Sequence, residues 1–73
     1  MTDVSLWNLE WEPYRPRGGR LRVLRTMDGG DYEFAGEGGQ YFILRHVGYG
    51  KYEEAGRGRW RQALTLWHQL GGE

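Results

Sequence analysis

Glycine-bearing breaks divide the middle of the chain into short segments. Gly29-Gly30 and Gly38-Gly39 are two-residue turns of the kind that hairpin loops with positive φ require, and Tyr49-Gly50 marks a third break. Because tight turns join antiparallel neighbours, these breaks restrict the chain to a meander of adjacent strands. The predicted strands span residues 5–11, 20–27, 31–37, 40–47 and 51–55.

The first predicted strand depends on alternation of side chains. Trp7, Leu9 and Trp11 alternate with polar residues, which is the period of a half-buried strand. Pro13 and Pro16 follow and are expected to end regular pairing, since proline has no N–H to donate to a ladder. The pattern leaves open whether this strand joins the sheet or covers one of its faces.

The C-terminal segment has a different period. Its apolar residues recur at three- and four-residue steps, which predicts one face of an amphipathic helix over residues 59–70. Gly58 suits the N-cap, and Gly71 lies where the end of a helix favours a left-handed residue. The sequence therefore predicts a single small α+β domain over residues 1–73. It consists of an antiparallel β-meander of four or five strands with one C-terminal α-helix packed on one face. The helix stripe is Trp60, Ala63, Leu64, Trp67 and Leu70.

The turns also predict the register, because each one fixes which residues oppose each other. Counting from them places Arg22 opposite Glu37 and Tyr41 opposite Gly36. The third turn likewise places Arg45 opposite Glu54. One face then collects most large apolar residues and is predicted to receive the helix. Its members are Leu21, Val23, Met27, Tyr32, Phe34, Tyr41, Ile43, Val47 and Tyr52.

The opposite face of the predicted sheet is mixed. It carries Leu24, Ala35, Phe42 and Leu44 among polar residues, and it is too apolar to be simply solvated. Contiguous exposed apolar patches mark interaction sites. We therefore expect either the N-terminal strand or a partner protein to cover this face.

Composition narrows the classes of function. Ten basic and ten acidic side chains balance, so net charge gives no general attraction to nucleic acid or anionic membrane. Cysteine is absent, which excludes disulfides and thiolate metal sites. Only His46 and His68 offer imidazole, and a metal site needs three or four ligands. No metal and no cofactor are expected.

Neither catalytic side chains nor a membrane segment can be identified. The single serine, Ser5, and the threonines have no His–acid neighbours in the sequence, so we expect no enzyme. The longest apolar run, residues 41–44, is far shorter than a membrane span or the core of a signal peptide. A cytoplasmic location without a membrane partner is the expectation.

Arginines form two clusters without an assigned partner. The first cluster lies in a Pro/Gly-rich loop, and the second lies at the predicted helix start, where cations oppose the helix dipole. Such violations of local rules concentrate at functional sites. The alternative is that Glu53 and Glu54 neutralise the second cluster across a short loop. The clusters are Arg15, Arg17 and Arg20, and Arg57, Arg59 and Arg61.

These observations favour a small non-catalytic binding protein that acts through protein–protein contacts. A compact, arginine-rich chain also suits a phage or mobile-element product that inhibits or modulates a host complex. The alternative is a nucleic-acid-binding β-sheet domain that uses the arginine clusters. Homodimerisation through a strand edge is a further possibility. The predicted partner-binding residues are Arg57, Arg59, Arg61, Arg15, Arg17, Arg20, Trp7, Trp11, Leu24, Phe42 and Leu44.

Overall fold

The computed structural model describes residues 9–72, which form a five-stranded antiparallel sheet with one C-terminal helix. The spatial order of the strands is β1-β5-β4-β3-β2, so consecutive hairpins build the sheet and β1 is added beyond β5. This arrangement confirms the predicted α+β meander. The elements are β1 Glu12–Pro13, β2 Arg22–Thr26, β3 Tyr32–Glu37, β4 Gln40–Gly48, β5 Lys51–Gly58 and α1 Trp60–Gln69.

The N-terminal strand differs from the predicted one. It comprises Glu12–Pro13, not residues 5–11, of which residues 5–8 lie outside the described part. Pro13 does not end the pairing but takes part in it, opposite Glu53. Proline is tolerated here because β1 lies at the edge of the sheet, with no further strand among residues 9–72 that needs its N–H. The Tyr14 amide continues the contact by donating to the Tyr52 carbonyl over 2.9 Å.

The register of the β3–β4 hairpin is as predicted, with Gly36 opposite Tyr41. The β2–β3 register is correct only as far as Arg25. An irregularity between Val23 and Arg25 then shifts the pairing by one residue. Arg22 consequently opposes Gly36 and not Glu37.

The β4–β5 hairpin carries a similar shift between His46 and Gly48. Arg45 therefore opposes Glu53 where Glu54 was expected, and Tyr52 opposes His46. Because a shift of one residue exchanges the two faces of a strand, Tyr52 moves away from the helix side.

The helix covers one face of the sheet. Phe34 and Ile43 of the sheet meet Ala63, Leu66 and Trp67 of α1 in one buried cluster. Leu9 and Trp11 pack against the same cluster, so the described residues of the predicted first strand, 9–11, do not cover the opposite face. The helix N-cap is Arg59, one residue later than the predicted Gly58.

Two tyrosines cover the face of the sheet opposite the helix. Ala35, Phe42 and Leu44 form a second buried cluster beneath Tyr14 and Tyr52. The Tyr14 ring stacks on the Phe42 ring with centroids 5.9 Å apart. A residue that follows β1 therefore fills the position that the sequence left to an N-terminal strand or a partner.

Candidate functional site

An open cleft of about 590 Å³ lies along β2 on the helix side of the sheet. We call it the arginine cleft. Gly36 lies at its floor, and a Cβ there would come within 2.9 Å of the Tyr41 ring, so only glycine lets this ring lie flat across the strand. The side chains that border the cleft are Arg20, Arg22, Leu24, Arg25, Tyr41 and Trp60.

Trp60 forms the wall of the cleft on the helix side. It is the first residue of α1, and 42% of its surface is exposed. Its ring meets the Phe34 ring at 63° with centroids 5.3 Å apart, and it contacts Tyr41 in a similar edge-on manner. Aromatic pairs prefer such edge-to-face arrangements. The exposed indole is thus held in place by two rings before any ligand binds.

The cleft arginines have no carboxylate partner among residues 9–72. No ion pair or side-chain hydrogen bond engages Arg20, Arg22 or Arg25 there. Glu37 also borders the cleft, but its carboxylate is directed to Tyr14 and Arg57. The cleft is therefore a cationic surface beside an aromatic wall.

Two further unpaired arginines flank Trp60 in the sequence. Arg59 and Arg61 line a shallow depression on α1, and neither forms an ion pair within the described range. The first turn of α1 has no acidic residue, and the Arg59 side chain makes no cap hydrogen bond. The start of the helix thus keeps the unfavourable charge arrangement that the sequence indicated.

Acidic side chains are engaged elsewhere, which explains how a neutral chain has a cationic cleft. Glu53 binds Arg45, with Oε1 2.6 Å from Nη2 and 2.8 Å from Nε. Glu33 lies 3.6 Å from the His46 imidazole. The net charge of zero therefore results from an uneven distribution, with unpaired arginines at the cleft and these carboxylates paired elsewhere.

A buried ion cluster occupies the face opposite the helix. Arg57 donates two hydrogen bonds to Glu54, from Nε over 2.6 Å and from Nη2 over 2.8 Å. Its Nη2 also lies 3.6 Å from Glu37 Oε1, and its guanidinium carbon lies 4.0 Å above the Phe42 ring. The hydrogen bond to Glu54 is the main reason that the pKa of Arg57 is raised. We refer below to Glu37, Glu54, Arg57 and Tyr14 as the buried ion cluster.

Tyr14 completes this cluster. Its hydroxyl donates to Glu37 Oε2 over 2.9 Å. Burial first, and this hydrogen bond second, raise the pKa of Tyr14 above its ordinary value. Glu37 Oε1 accepts no hydrogen bond from the described residues, so the nearby Arg57 charge compensates it.

The structure divides the predicted binding residues. Arg20, Leu24, Arg59 and Arg61 are exposed at the cleft or at the helix start, whereas the Arg57 guanidinium is committed to Glu54 and Glu37. Glu54 neutralises Arg57, as the alternative interpretation held, but Glu53 pairs with Arg45, and Arg59 and Arg61 form no ion pair among the described residues. Leu24 borders the cleft, on the helix side rather than on the mixed face.

The other predicted residues are placed away from the cleft. Phe42 and Leu44 are fully buried beneath Tyr14, and Trp11 lies under the Arg45 guanidinium. Arg15 is exposed, and Arg17 has its amide 3.4 Å from Glu37 Oε2 and its Nη2 3.9 Å from Glu54 Oε1. Trp7 lies outside the described residues.

Sequence reasoning missed four residues of the cleft. Trp60 and Tyr41 were assigned to the core, Arg22 was paired with Glu37, and Arg25 was not among the predicted binding residues. The bulge beyond Arg25 is what releases Arg22 from Glu37. One sequence signal could have identified Trp60, which is a tryptophan at the start of the predicted helix with an arginine on each side. The first residue of an apolar helix stripe lies at the margin of the core, where it can be partly exposed.

Within the described range, no three His, Cys, Asp or Glu residues are grouped as metal ligands. No helix of residues 9–72 has both the length and the apolar character that crossing a membrane requires. Comparisons with protein-family models, with curated proteins and with solved structures gave no match to this chain.

Proposed function

We propose that this protein is a small non-catalytic module that binds another protein through the arginine cleft. The observation that carries the proposal is the juxtaposition of the exposed Trp60 indole with arginines that have no carboxylate partner in the described chain. Tryptophan and arginine are the residues most enriched at the energetic centres of protein interfaces. The protein partner is expected to present carboxylates, which would neutralise the cleft.

Aliphatic residues around β2 support a protein partner. Leu21, Val23 and Leu24 are exposed in or next to this strand. Interfaces between proteins combine aromatic and aliphatic contacts with arginine, whereas phosphate-binding surfaces are dominated by polar and cationic groups. The mixture at β2 therefore favours a protein over nucleic acid.

Single-stranded nucleic acid is the second candidate. It is favoured by the Trp60–Tyr41 pair, because aromatic rings beside cations form a platform on which bases stack. The balanced charge of the whole chain argues against it. Phosphate binding weakens steeply as salt rises, so titrations at two salt concentrations distinguish the candidates.

Capture of partners from the native host tests the proposal. The wild-type chain is compared with Trp60→Ala, with the double variant Arg22→Glu/Arg25→Glu, and with Tyr49→Ala. Tyr49 is a fully exposed aromatic residue in the β4–β5 turn, at the opposite end of β4 from Tyr41, so it is the matched control. Loss of the same protein from both cleft variants, with retention by Tyr49→Ala, supports the proposal. Equal capture by all four chains contradicts it.

The proposal includes a cytoplasmic setting, for which the support is a cysteine-free small domain that does not depend on an oxidising compartment. A role as a phage or mobile-element inhibitor is one form of the same proposal, and identification of the captured host protein tests it. Homodimerisation through β2 would bring Arg22 and Arg25 of two copies together, and like charges on neighbouring strands repel. We therefore propose that the chain binds its partner as a monomer, which sedimentation over a concentration series measures.

A further inference from the structure

The strand β2 has one side without a partner in the described part of the chain. It pairs with β3 and with no other described strand. The Met27 amide donates to the Tyr32 carbonyl over 2.9 Å, so the Met27 backbone points toward β3. Backbone groups alternate in direction along an antiparallel strand, so the N–H and C=O of Thr26 point toward the open edge.

We propose that this edge receives an extended acidic segment of a partner protein as a sixth strand. The inference rests on the proposed function and specifies how the partner is held. Main-chain hydrogen bonds to an exposed sheet edge supply affinity in this binding mode, and side-chain positions supply specificity. The strand β2 offers both, because its residues form the open edge of the sheet and also border the arginine cleft.

Charge selects the occupant of the edge. Arg22 and Arg25 lie on β2, and Arg20 precedes the strand. An added strand that carries Glu or Asp opposite them gains cross-strand attraction, whereas a second copy of this chain would oppose arginine with arginine. Charged side chains and a bulge are also common devices against edge-to-edge aggregation. The same arginines thus disfavour self-association and favour an acidic strand.

The arginine cleft would contact those side chains of the added strand that point to the helix side of the sheet. Successive side chains of a strand point to opposite faces, so every second residue of the added strand would border the cleft. Trp60 and Leu24 offer apolar contact there, and the arginines offer charge. The segment expected to bind combines acidic residues with β-branched residues.

A synthetic peptide of alternating Glu and Val residues is the probe. Its affinity for the full 73-residue chain is compared with that of a Lys-Val peptide and of the Glu-Val peptide with N-methylated amides. N-methylation removes the donors that strand pairing requires and leaves the charge unchanged. The expected result is that each change weakens binding by about tenfold, the order of one or two lost charge-assisted or backbone hydrogen bonds. Equal affinity of the N-methylated peptide contradicts strand addition.

Amide hydrogen exchange gives a readout that needs no substitution. Saturating Glu-Val peptide is expected to slow exchange of the Thr26 amide by about tenfold, the order expected when one open amide gains a partner. Exchange of the amide of Gly29, an exposed residue of the neighbouring turn, is expected to remain unchanged. Peptide binding without protection of Thr26 overturns the proposal.

Substitution at Thr26 provides a matched pair. Thr26→Pro removes the outward N–H without removing a bond to β3, and Thr26→Val retains the N–H while removing the hydroxyl. The proline variant is expected to bind the Glu-Val peptide about tenfold more weakly than the valine variant. If circular dichroism shows that Thr26→Pro does not fold, the exchange experiment on the wild-type chain decides.

Failure of strand addition is distinguishable from failure of the proposed function. If a host protein depends on Trp60 for capture but the Thr26 amide stays unprotected in its complex, the binding function stands and the strand-addition mode is wrong. If oligothymidylate displaces the peptide at about 0.15 M salt, where exposed charges are already screened, both proposals are wrong.

Discussion

The ring of Trp60 stands at 86° to the ring of Tyr41, with their centroids 5.1 Å apart. Tyr41 in turn lies over Gly36, and this position is possible because glycine has no side chain. The glycine at the floor of the cleft therefore determines the orientation of the Trp60 indole. Held in this way, the indole loses little conformational freedom when it binds. The aromatic wall of the cleft is therefore a property of the folded sheet rather than of the bound state.

Replacement of Tyr41 by leucine is expected to disturb the site more than the fold. Tyr41→Leu retains apolar cover over Gly36 but removes the ring against which Trp60 rests. Aromatic pairs contribute about 0.5–1.5 kcal/mol beyond their buried area, and the free energy of unfolding should fall by about that amount. Urea titration measures it, with Tyr49→Leu in the exposed turn as the control. Equal stability of both variants would contradict the supporting role of Tyr41.

The buried ion cluster predicts a large cost for removing its cation. Arg57→Gln leaves the carboxylates of Glu37 and Glu54 buried without their counter-charge, which typically costs about 3–5 kcal/mol. Arg45→Gln removes a half-exposed partner of Glu53 and is expected to cost about 0–1 kcal/mol. Chemical unfolding of the two variants gives the comparison. Similar losses would show that burial of the cluster has no special energetic role.

The pairing of β4 with β5 is irregular between Tyr41 and Ile43, where Gly56 and Arg57 of β5 face the single residue Phe42. An added Cβ is expected to cost more at Gly56 than at Gly50, although both glycines have positive φ. Gly56 has φ 69°, and an added Cβ would overlap the Leu66 side chain, whereas Gly50 has φ 72° and open space around it. Gly50→Ala is expected to cost about 1–2 kcal/mol, for left-handed backbone strain alone. Gly56→Ala should cost about 1–3 kcal/mol more, because the helix contact is overpacked. Thermal and urea unfolding measure both, and equal costs would place Leu66 away from Gly56.

Alkaline pH is expected to weaken the cover of the second face. Burial and the hydrogen bond to Glu37 raise the pKa of Tyr14 in the folded state above its unfolded value of about 10. The folded chain thus holds this proton more tightly. The resulting stabilisation is complete below about pH 10 and disappears as the pH rises through the folded-state pKa. Tyr14→Phe should lose less stability than the wild type when the pH is raised from about 8, below the unfolded-state pKa, to about 11, above it. Parallel losses in urea titrations at the two pH values would exclude Tyr14 as the cause.

The charge at the start of α1 predicts a gain in stability upon substitution. Arg59 is the N-cap and makes no side-chain cap hydrogen bond, and the first turn has no acidic residue. Arg59→Asp supplies a cap and a favourable charge, which should add about 0.5–2 kcal/mol to the free energy of unfolding. Arg15→Asp makes the same charge change in an exposed loop and should stay within about 0.5 kcal/mol of the wild type. A gain in stability together with weaker partner capture would identify Arg59 as a residue retained for binding.

The meander and the helix could be predicted from the sequence, because glycine pairs and the period of the hydrophobic residues are local signals. Three register shifts, at Val23–Arg25, at Tyr41–Ile43 and at His46–Gly48, could not be read from it. A bulge changes the local pairing by one residue, and whether it forms depends on how the whole sheet twists and packs. Two of them changed an assignment, since the shift at Val23–Arg25 released Arg22 from Glu37 and the shift at His46–Gly48 moved Tyr52 to the second face.

The ion cluster illustrates a different limit. Glu54 and Arg57 are close in sequence, and their pairing was a stated alternative, but Glu37 and Tyr14 reach Arg57 only through the assembled sheet. Phe42 and Leu44 were identified as a face that needs cover. The predicted cover was either the N-terminal strand or a partner protein, and Tyr14 was not foreseen because the two-residue strand β1 is too short to produce a periodic pattern.

The pairing of β1 with β5 has a consequence for the order of folding. Glu12 opposes Glu54, whereas every other strand pair is formed by hairpins between neighbours in the sequence. Contacts of large sequence separation carry the greater loop-closure entropy, so the hairpins can form early and β1 docks late. Until it does, Phe42 and Leu44 lack Tyr14, and the outer side of β5 has no strand beside it. The segment that closes this face is therefore synthesised before the hairpins but docks after them. Misassociation is favoured during the interval between these two events, while the face is still open.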